Sequence, residues 1–303
     1  MKPTDPVVRA GSLTKTYGSV RGVANLTFTV PRGVVFGFLG ANGAGKTTTI
    51  RLMLDLIRPT GGSLEVFGLD PRRDGCAIRR QIGYLPGDLR LYERLTAREH
   101  LRYFASLRGM RDLDAAERLA RRFDLELDRP VRGLSRGNRQ KVGLVQAFMH
   151  RPELLLLDEP TSGLDPLMQQ VFAELVRDAA ADGQTVFLSS HVLSEMQRVA
   201  DRVALIRDGS IDLVDSVEAL RARARTRVEV LFAEPPRADA FTGLAGIDEL
   251  ERRGATVRFA VQGPIDPLVK ALACYHVLAL DSHEADLEDV FLSRYRPEAK
   301  RAA

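Results

Sequence analysis

Tryptophan is absent from the 303 residues and cysteine nearly so, with Cys76 and Cys274 the only two. They stand far apart and in no metal-type spacing, so neither a disulfide framework nor a cysteine metal site is expected, and a reducing cytosol fits. No segment approaches the roughly 18 apolar residues that a membrane-spanning helix needs. The opening Met-Lys-Pro-Thr-Asp-Pro lacks the apolar run of a secretory leader. A strong excess of one charge is also missing. Lys plus Arg total 44 against 40 for Asp plus Glu, so no nucleic-acid partner is expected. Repeats and low-complexity tracts are lacking. What is present, 45% hydrophobic and 28% charged residues, suits a folded chain with one large domain, or one large and one small. Work at a membrane would use spans supplied by another chain.

Apolar and polar residues predict short strands over Val7–Tyr17 and Arg21–Val30, with Gly18 and Ser19 between them. Val34–Leu39 reads as a buried strand. Lys46–Ile57 places Ile50, Met53, Leu54 and Ile57 on one helical face. The stretch Leu95–Arg151 is helical in pattern. Thr96 with Glu99 forms a capping box for a helix to about Leu107, followed by helices over Asp114–Phe123 and Gly137–His150. Four leucines, Leu154–Leu157, predict a strand buried on both faces. Asp165 caps a helix that opens on Pro166 and runs to about Ala181. Gln184–Ser190 is a strand, Val192–Ala200 a short helix, and Asp208-Gly209 a two-residue hairpin turn. Beyond Val214 the texture changes. Arg221, Arg223, Arg225 and Arg227 read as a solvated helix face. Strands are expected at Arg227–Phe232, Thr256–Gln262 and His276–Leu280, and a final helix near Leu287–Tyr295.

The chemistry is concentrated in two motifs. Gly40-Ala-Asn42-Gly43-Ala44-Gly45-Lys46-Thr47, followed by Thr48, fits the phosphate-loop pattern between a buried strand and an amphipathic helix. Glycines let backbone N–H groups approach phosphates at the positive end of a helix. Lys46 reaches the β and γ phosphates, and the Thr47 hydroxyl serves Mg2+. In the second motif, Leu154–Leu157 ends in Asp158 and Glu159, two acids at the carboxyl edge of a strand, where α/β sheets bind ligands. Asp158 is assigned to the metal, partly through water, and Glu159 to general-base duty. A solvated strand end would give the same two letters, but the phosphate loop upstream argues for the chemical role.

In this order the motifs resemble the nucleotide-binding domain of ATP-binding cassette (ABC) transporters over about Val7–Val214. Leu134-Ser135-Arg136-Gly137-Asn138-Arg139-Gln140 resembles the family signature, with Ser135 and Gly137 kept and Arg136 and Asn138 replacing a glycine and the glutamine. The resemblance implies that Ser135, Gly137 and Asn138 meet ATP held by the opposite subunit. It implies that Asp165, alone simply a helix cap, lies at the dimer contact. By the same resemblance His191 touches the γ phosphate and Tyr17 stacks on adenine. Where the family has a metal-touching glutamine after Ile82–Pro86, this chain has Gly87 and then Asp88. That duty is lost, passed to Asp88 as a further metal candidate, or left to water.

The segment Ile82–Leu101, the signature and the ending Ala285–Leu292 are similar to the ATPase subunits of ABC-2-type exporters of the drug and antibiotic kind. This implies an α/β fold. A phosphate-loop NTPase cassette spans 1–215, with a mixed sheet core, an antiparallel β subdomain and an α-helical subdomain at about 88–151. A linker and small α+β C-terminal domain span 216–303. It also implies ATP and Mg2+ as ligands, a homodimer or paired ATPase subunit, and a separate transmembrane permease docking near Asp88–Tyr103, with Tyr92 and Leu95 as contacts. The chain would sit peripherally on the cytoplasmic face of the cell membrane. Two alternatives use the same residues: a soluble ABC-family ATPase of the translation-factor kind, and a nucleotide sensor with little turnover. A single uninterrupted cassette argues against the first, and the presence of Glu159 and His191 against the second.

Overall fold

The period-two patterning of the first thirty residues folds as an antiparallel pair, β1 (Val8–Tyr17) and β2 (Val20–Val30), whose Val8, Ala10, Leu13, Val23, Leu26, Phe28 and Val30 turn inward. In this computed structural model residues 5–223 and 226–283 are described. The chain divides into two compact units, 1–215 and 216–303.

In the first unit, β3 (Val35–Leu39) is buried at every residue and feeds α1 (Lys46–Met53). This helix stops four residues short of the expected Ile57. Asp55 takes a left-handed conformation (φ 53°), and the Leu56 N–H returns to the Arg51 carbonyl and that of Asp55 to Leu52, closing the helix with its own carbonyls. Next come β4 (Gly61–Val66), α2 (Pro71–Arg80) and β5 (Ile82–Leu85). Strand β4 pairs with β1, completing the three-stranded sheet β2-β1-β4. Three helices follow: α3 (Ala97–Leu107), entered through the Thr96–Glu99 capping box, α4 (Asp114–Arg122) and α5 (Arg136–Phe148). The chain then returns as β6 (Leu154–Asp158), α6 (Pro166–Ala181), β7 (Thr185–Ser190), α7 (Leu193–Val199), β8 (Arg202–Arg207) and β9 (Ser210–Ser216). Between the last two strands Asp208 and Gly209 both have positive φ, 49° and 78°, the backbone of a tight two-residue hairpin.

The six-stranded sheet has the order β5-β6-β7-β3-β8-β9, with β5, β6, β7, β3 and β8 parallel. Its middle strands are buried on both faces, which explains their unbroken apolar runs. Phe28 of β2 packs with Phe36, Phe38 and Phe187, ring centroids 5.7 to 6.3 Å from its own, and so joins the two sheets. The register sets Leu39 opposite Ser190 and Asp158 opposite Ser189. The loops leaving β3, β6 and β7 therefore emerge side by side at one edge.

In the second unit, α8 (Val217–Arg223) precedes an antiparallel sheet of order β11-β12-β10-β13. Its strands are β10 (Thr226–Phe232), β11 (Ile247–Arg253), β12 (Thr256–Val261) and β13 (Val277–His283), and α9 (Asp266–Leu272) precedes the last. Val230, Phe232, Phe241, Phe259 and Leu268 form its core. Arg227 lies on β10, beyond the end of α8, so the arginine run is not a single helix face as expected. The expected final helix near Leu287–Tyr295 lies outside the described residues.

Candidate functional site

Gly45 is the hinge between the loop after β3 and α1. Its φ is 111°, and a Cβ there would lie 2.6 Å from Val23 and 2.8 Å from the Gly22 carbonyl, so both conformation and space demand glycine. No side chain caps α1 and its first turn holds no acid. The N–H groups of Lys46, Thr47 and Thr48 thus open onto the loop formed by Gly40, Asn42, Gly43 and Ala44, an arrangement suited to an anion. Asn42 and Gly43 are exposed, Thr48 half-buried and Ala44 buried.

Lys46 is only 5% exposed. Its ammonium donates to the carbonyls of Gly40 at 2.6 Å and Ala41 at 3.2 Å, and lies 3.1 Å from Glu159 Oε1. Thr47 Oγ1 donates to Asp158 Oδ2 at 2.7 Å. The other oxygen of Asp158 accepts from the Ser189 hydroxyl at 2.5 Å. Ser189 in turn accepts from the Glu159 N–H at 3.2 Å, so one serine orients both acids. Glu159 itself has φ 49°, a left-handed conformation costing a non-glycine residue about 1–3 kcal/mol and concentrated at functional sites. It turns the Glu159 side chain away from that of Asp158 and toward Lys46 and His191, whose Nδ1 lies 2.9 Å from Glu159 Oε2. Beneath the site, burial and the Asp158 carboxylate push the Tyr84 phenol up to about 12, so it stays neutral.

The site's periphery follows from the same loops. The Ser135 hydroxyl caps α5 by accepting from the Asn138 N–H at 3.2 Å. A Cβ on Gly137 would lie 2.6 Å from the Gly163 carbonyl, so only glycine lets α5 approach the loop after β6 this closely. Arg136 donates to Ser162 Oγ at 2.8 Å, joining the start of α5 to that loop. Asp165 caps α6 by accepting from the Met168 N–H at 3.0 Å and is exposed. Tyr17 is 45% exposed. A Cβ on Gly22 would meet its ring at 2.8 Å, and the Gly22 carbonyl borders Gly45, so Tyr17 flanks the phosphate loop.

Asp88 does not join this group. It is exposed and paired with Arg90 at 3.1 Å, drawn outward by a neighbour two residues along, so it is no partner of Thr47 or Asp158. The position beside the metal candidates belongs to Gly87, where a Cβ would stand 3.1 Å from Asp158 Oδ2. Ser189, Ser190, Thr161 and Glu195, absent from the sequence-based site, also belong to it. The only sign in the sequence is the pair of serines ending an apolar strand.

Residues 23–162 match the family model described as ABC transporter. A fluoroquinolone export ATP-binding protein of Mycobacterium tuberculosis is 35% identical over 94% of this chain and 92% of its own length. The daunorubicin resistance ATP-binding protein DrrA3 of Streptomyces coeruleorubidus is 34% identical over 96% and 93%. The bacitracin transport ATP-binding protein BcrA of Bacillus licheniformis is 37% identical over 77% of each chain. Among solved structures, an ATP-binding subunit of an ABC transporter has a TM-score of 0.66 at 32% identity, over 71% of this chain and 92% of that one. A dimeric bacterial ABC transporter cassette, at 22% identity and TM-score 0.65, shares the fold over 69% of this chain and 98% of that one.

Proposed function

This chain belongs to the ABC transporter family as an ATP-hydrolysing subunit of the exporter type, and from that premise we propose how its residues work and with what they assemble. Two such subunits, identical or paired, face each other head to tail, so that each phosphate loop is closed by the Ser135–Asn138 helix start of the other. A separate permease provides the membrane spans, since no described helix is long and apolar enough to cross a bilayer. The chain would then sit at the cytoplasmic face. Drugs or antibiotics are the cargo class its relatives' names favour.

The observation that carries this reading is the linked set Lys46–Glu159–His191 beside Thr47–Asp158. Lys46 and the first-turn N–H groups of α1 bind the β and γ phosphates. Glu159, held between Lys46 and His191, takes the proton of the attacking water, and His191 steadies it and meets the γ phosphate. Thr47 and Asp158 fit Mg2+, for which one hydroxyl and one carboxylate, all hard oxygens, suffice beside phosphate. When bound, the ion neutralises charge on the phosphate oxygens. Tyr17 stacks on the adenine, and Asp165 lies at the contact between subunits.

Closure follows from charge shared between subunits: each triphosphate is contacted from both sides, and its cleavage releases that contact. Glu159→Gln is expected to bind ATP, form a stable dimer in size-exclusion chromatography with light scattering, and lower phosphate release by about 10²–10⁴-fold. A variant that remains monomeric with ATP and Mg2+, or hydrolyses at the wild-type rate, would refute the reading.

A further inference from the structure

One carboxylate beside the site is neither base nor metal ligand. Glu195 stands in the first turn of α7. Its Oε1 accepts from the Thr161 hydroxyl and its Oε2 from the Ser190 hydroxyl, both at 2.7 Å. Thr161 lies two residues after Glu159 and Ser190 directly precedes His191. Each oxygen of one carboxylate therefore holds one of the two loops that present the base and its histidine.

A first-turn acid suits any helix, but Glu195 is placed otherwise. Ser190 is fully buried, Thr161 nearly so, and Glu195 half-buried. Among the described residues no ion pair links Glu195 to a cation. Two charge-assisted hydrogen bonds replace the water it gives up. The Ser190 hydroxyl also accepts from the Val192 N–H at 3.0 Å, so the backbone on both sides of His191 is tied to the same bridge. Across it, Glu159 holds its left-handed φ and its 2.9 Å contact with His191. Both features need the two loops at a set separation, and catalytic geometry tolerates little drift.

We infer that Glu195 is a positioning residue, which spans the loops after β6 and β7 through Thr161 and Ser190 and thereby sets Glu159 against His191 for hydrolysis. The inference rests on the reading of Glu159 as the base. Because, among the described residues, no hydrogen bond or ion pair joins Glu195 to the phosphate loop or to Asp158, its loss acts on turnover and not on nucleotide capture.

The test uses the purified full chain with Mg2+ and ATP. Glu195→Ala is expected to lower kcat about tenfold or more, with KM and ATP affinity within about twofold of wild type. Glu195→Gln keeps the size of the side chain and one strong acceptor, and should lie between. A Thr161→Val, Ser190→Ala double variant should match Glu195→Ala, and adding Glu195→Ala to it should change kcat less than twofold, since the three groups act as one unit. A kcat within twofold of wild type in both Glu195 variants, a parallel loss of ATP affinity, or multiplying effects in the combined variant would each overturn the inference. Glu159→Gln in the same assay separates the two readings. If it leaves turnover intact the base assignment fails, whereas a slow Glu159→Gln beside a fast Glu195→Ala removes the positioning role alone.

Discussion

Lys46 answers to two partners of opposite kind. Its ammonium is buried, donates to the Gly40 and Ala41 carbonyls, and faces Glu159 at 3.1 Å. On the proposed function, a phosphate entering the loop competes for the same ammonium and leaves Glu159 to its water and to His191. Removing the lysine thus has two consequences. Phosphate loses its strongest local charge, and the Oε1 of Glu159, buried and without a hydrogen-bond partner among the described residues, loses its counter-ion. Lys46→Ala should weaken ATP binding more than tenfold in calorimetric titration and lower folding stability by roughly 1–3 kcal/mol. Retained affinity would contradict the role. Asp158 and Glu159 were legible as chemistry because two acids end a four-leucine strand beside a phosphate loop. Ser189 and Glu195 were not, because hydroxyls at strand ends and acids in first turns are common in any fold. Only the pairing of β6 with β7 gives them partners.

Helix α5 shows how an element links the signature to the sheet. It starts at the Ser135 cap and packs Val142, Leu144, Val145 and Phe148 inward. Just beyond its end His150 Nε2 lies 3.2 Å from the Ile82 carbonyl of β5. Burial, reinforced by the Arg108 charge, pulls the His150 imidazole down to about 4. An unfolded histidine titrates near 6.5. Between those values the unfolded chain binds a proton that the folded chain refuses, so stability is fully present above about pH 6.5 and falls as pH drops toward 4. With part of the ring open to solvent, the contribution is roughly 1–2 kcal/mol. Thermal unfolding of wild type and His150→Gln at pH 7.5 and 4.5 checks this: the variant should lose less stability on acidification. The expected boundaries of α3, α5 and α6 lie close to the observed ones because capping residues mark them. Element β11 carried no signal. Of its residues only Ile247 is buried, Asp248, Glu249, Leu250 and Arg253 are exposed, and Glu251 pairs across the sheet with Arg258, so apolar alternation is absent.

A separate permease needs a surface to hold. Tyr92 and Tyr103 are 53% and 44% exposed and meet edge to face with centroids 5.5 Å apart. Tyr92 lies against His100, ring centroids 5.7 Å apart; burial keeps that imidazole below its usual range, and its Nε2 contacts Gln146 at 2.8 Å. Leu95 is half-buried beside them. Amphipathic rings on a rigid support are the usual anchors of protein interfaces. Tyr92→Glu should reduce the membrane-bound fraction about tenfold in cells that also express the permease, while ATP affinity in solution stays within twofold. Unchanged membrane association would place the docking surface elsewhere.

The order and spacing of letters carried the phosphate loop, the acid pair, the capped signature helix and the change of texture after Val214, because each is a local device whose chemistry lies within a few neighbouring residues. Contacts across the sheet were beyond its reach. The placement of β3 between β7 and β8, the alignment of Asp158 with Ser189 and the Glu195 bridge from Ser190 to Thr161 join residues up to scores of positions apart. Hydrophobic pairing of strands sets those distances, and no pattern within one strand encodes its neighbour.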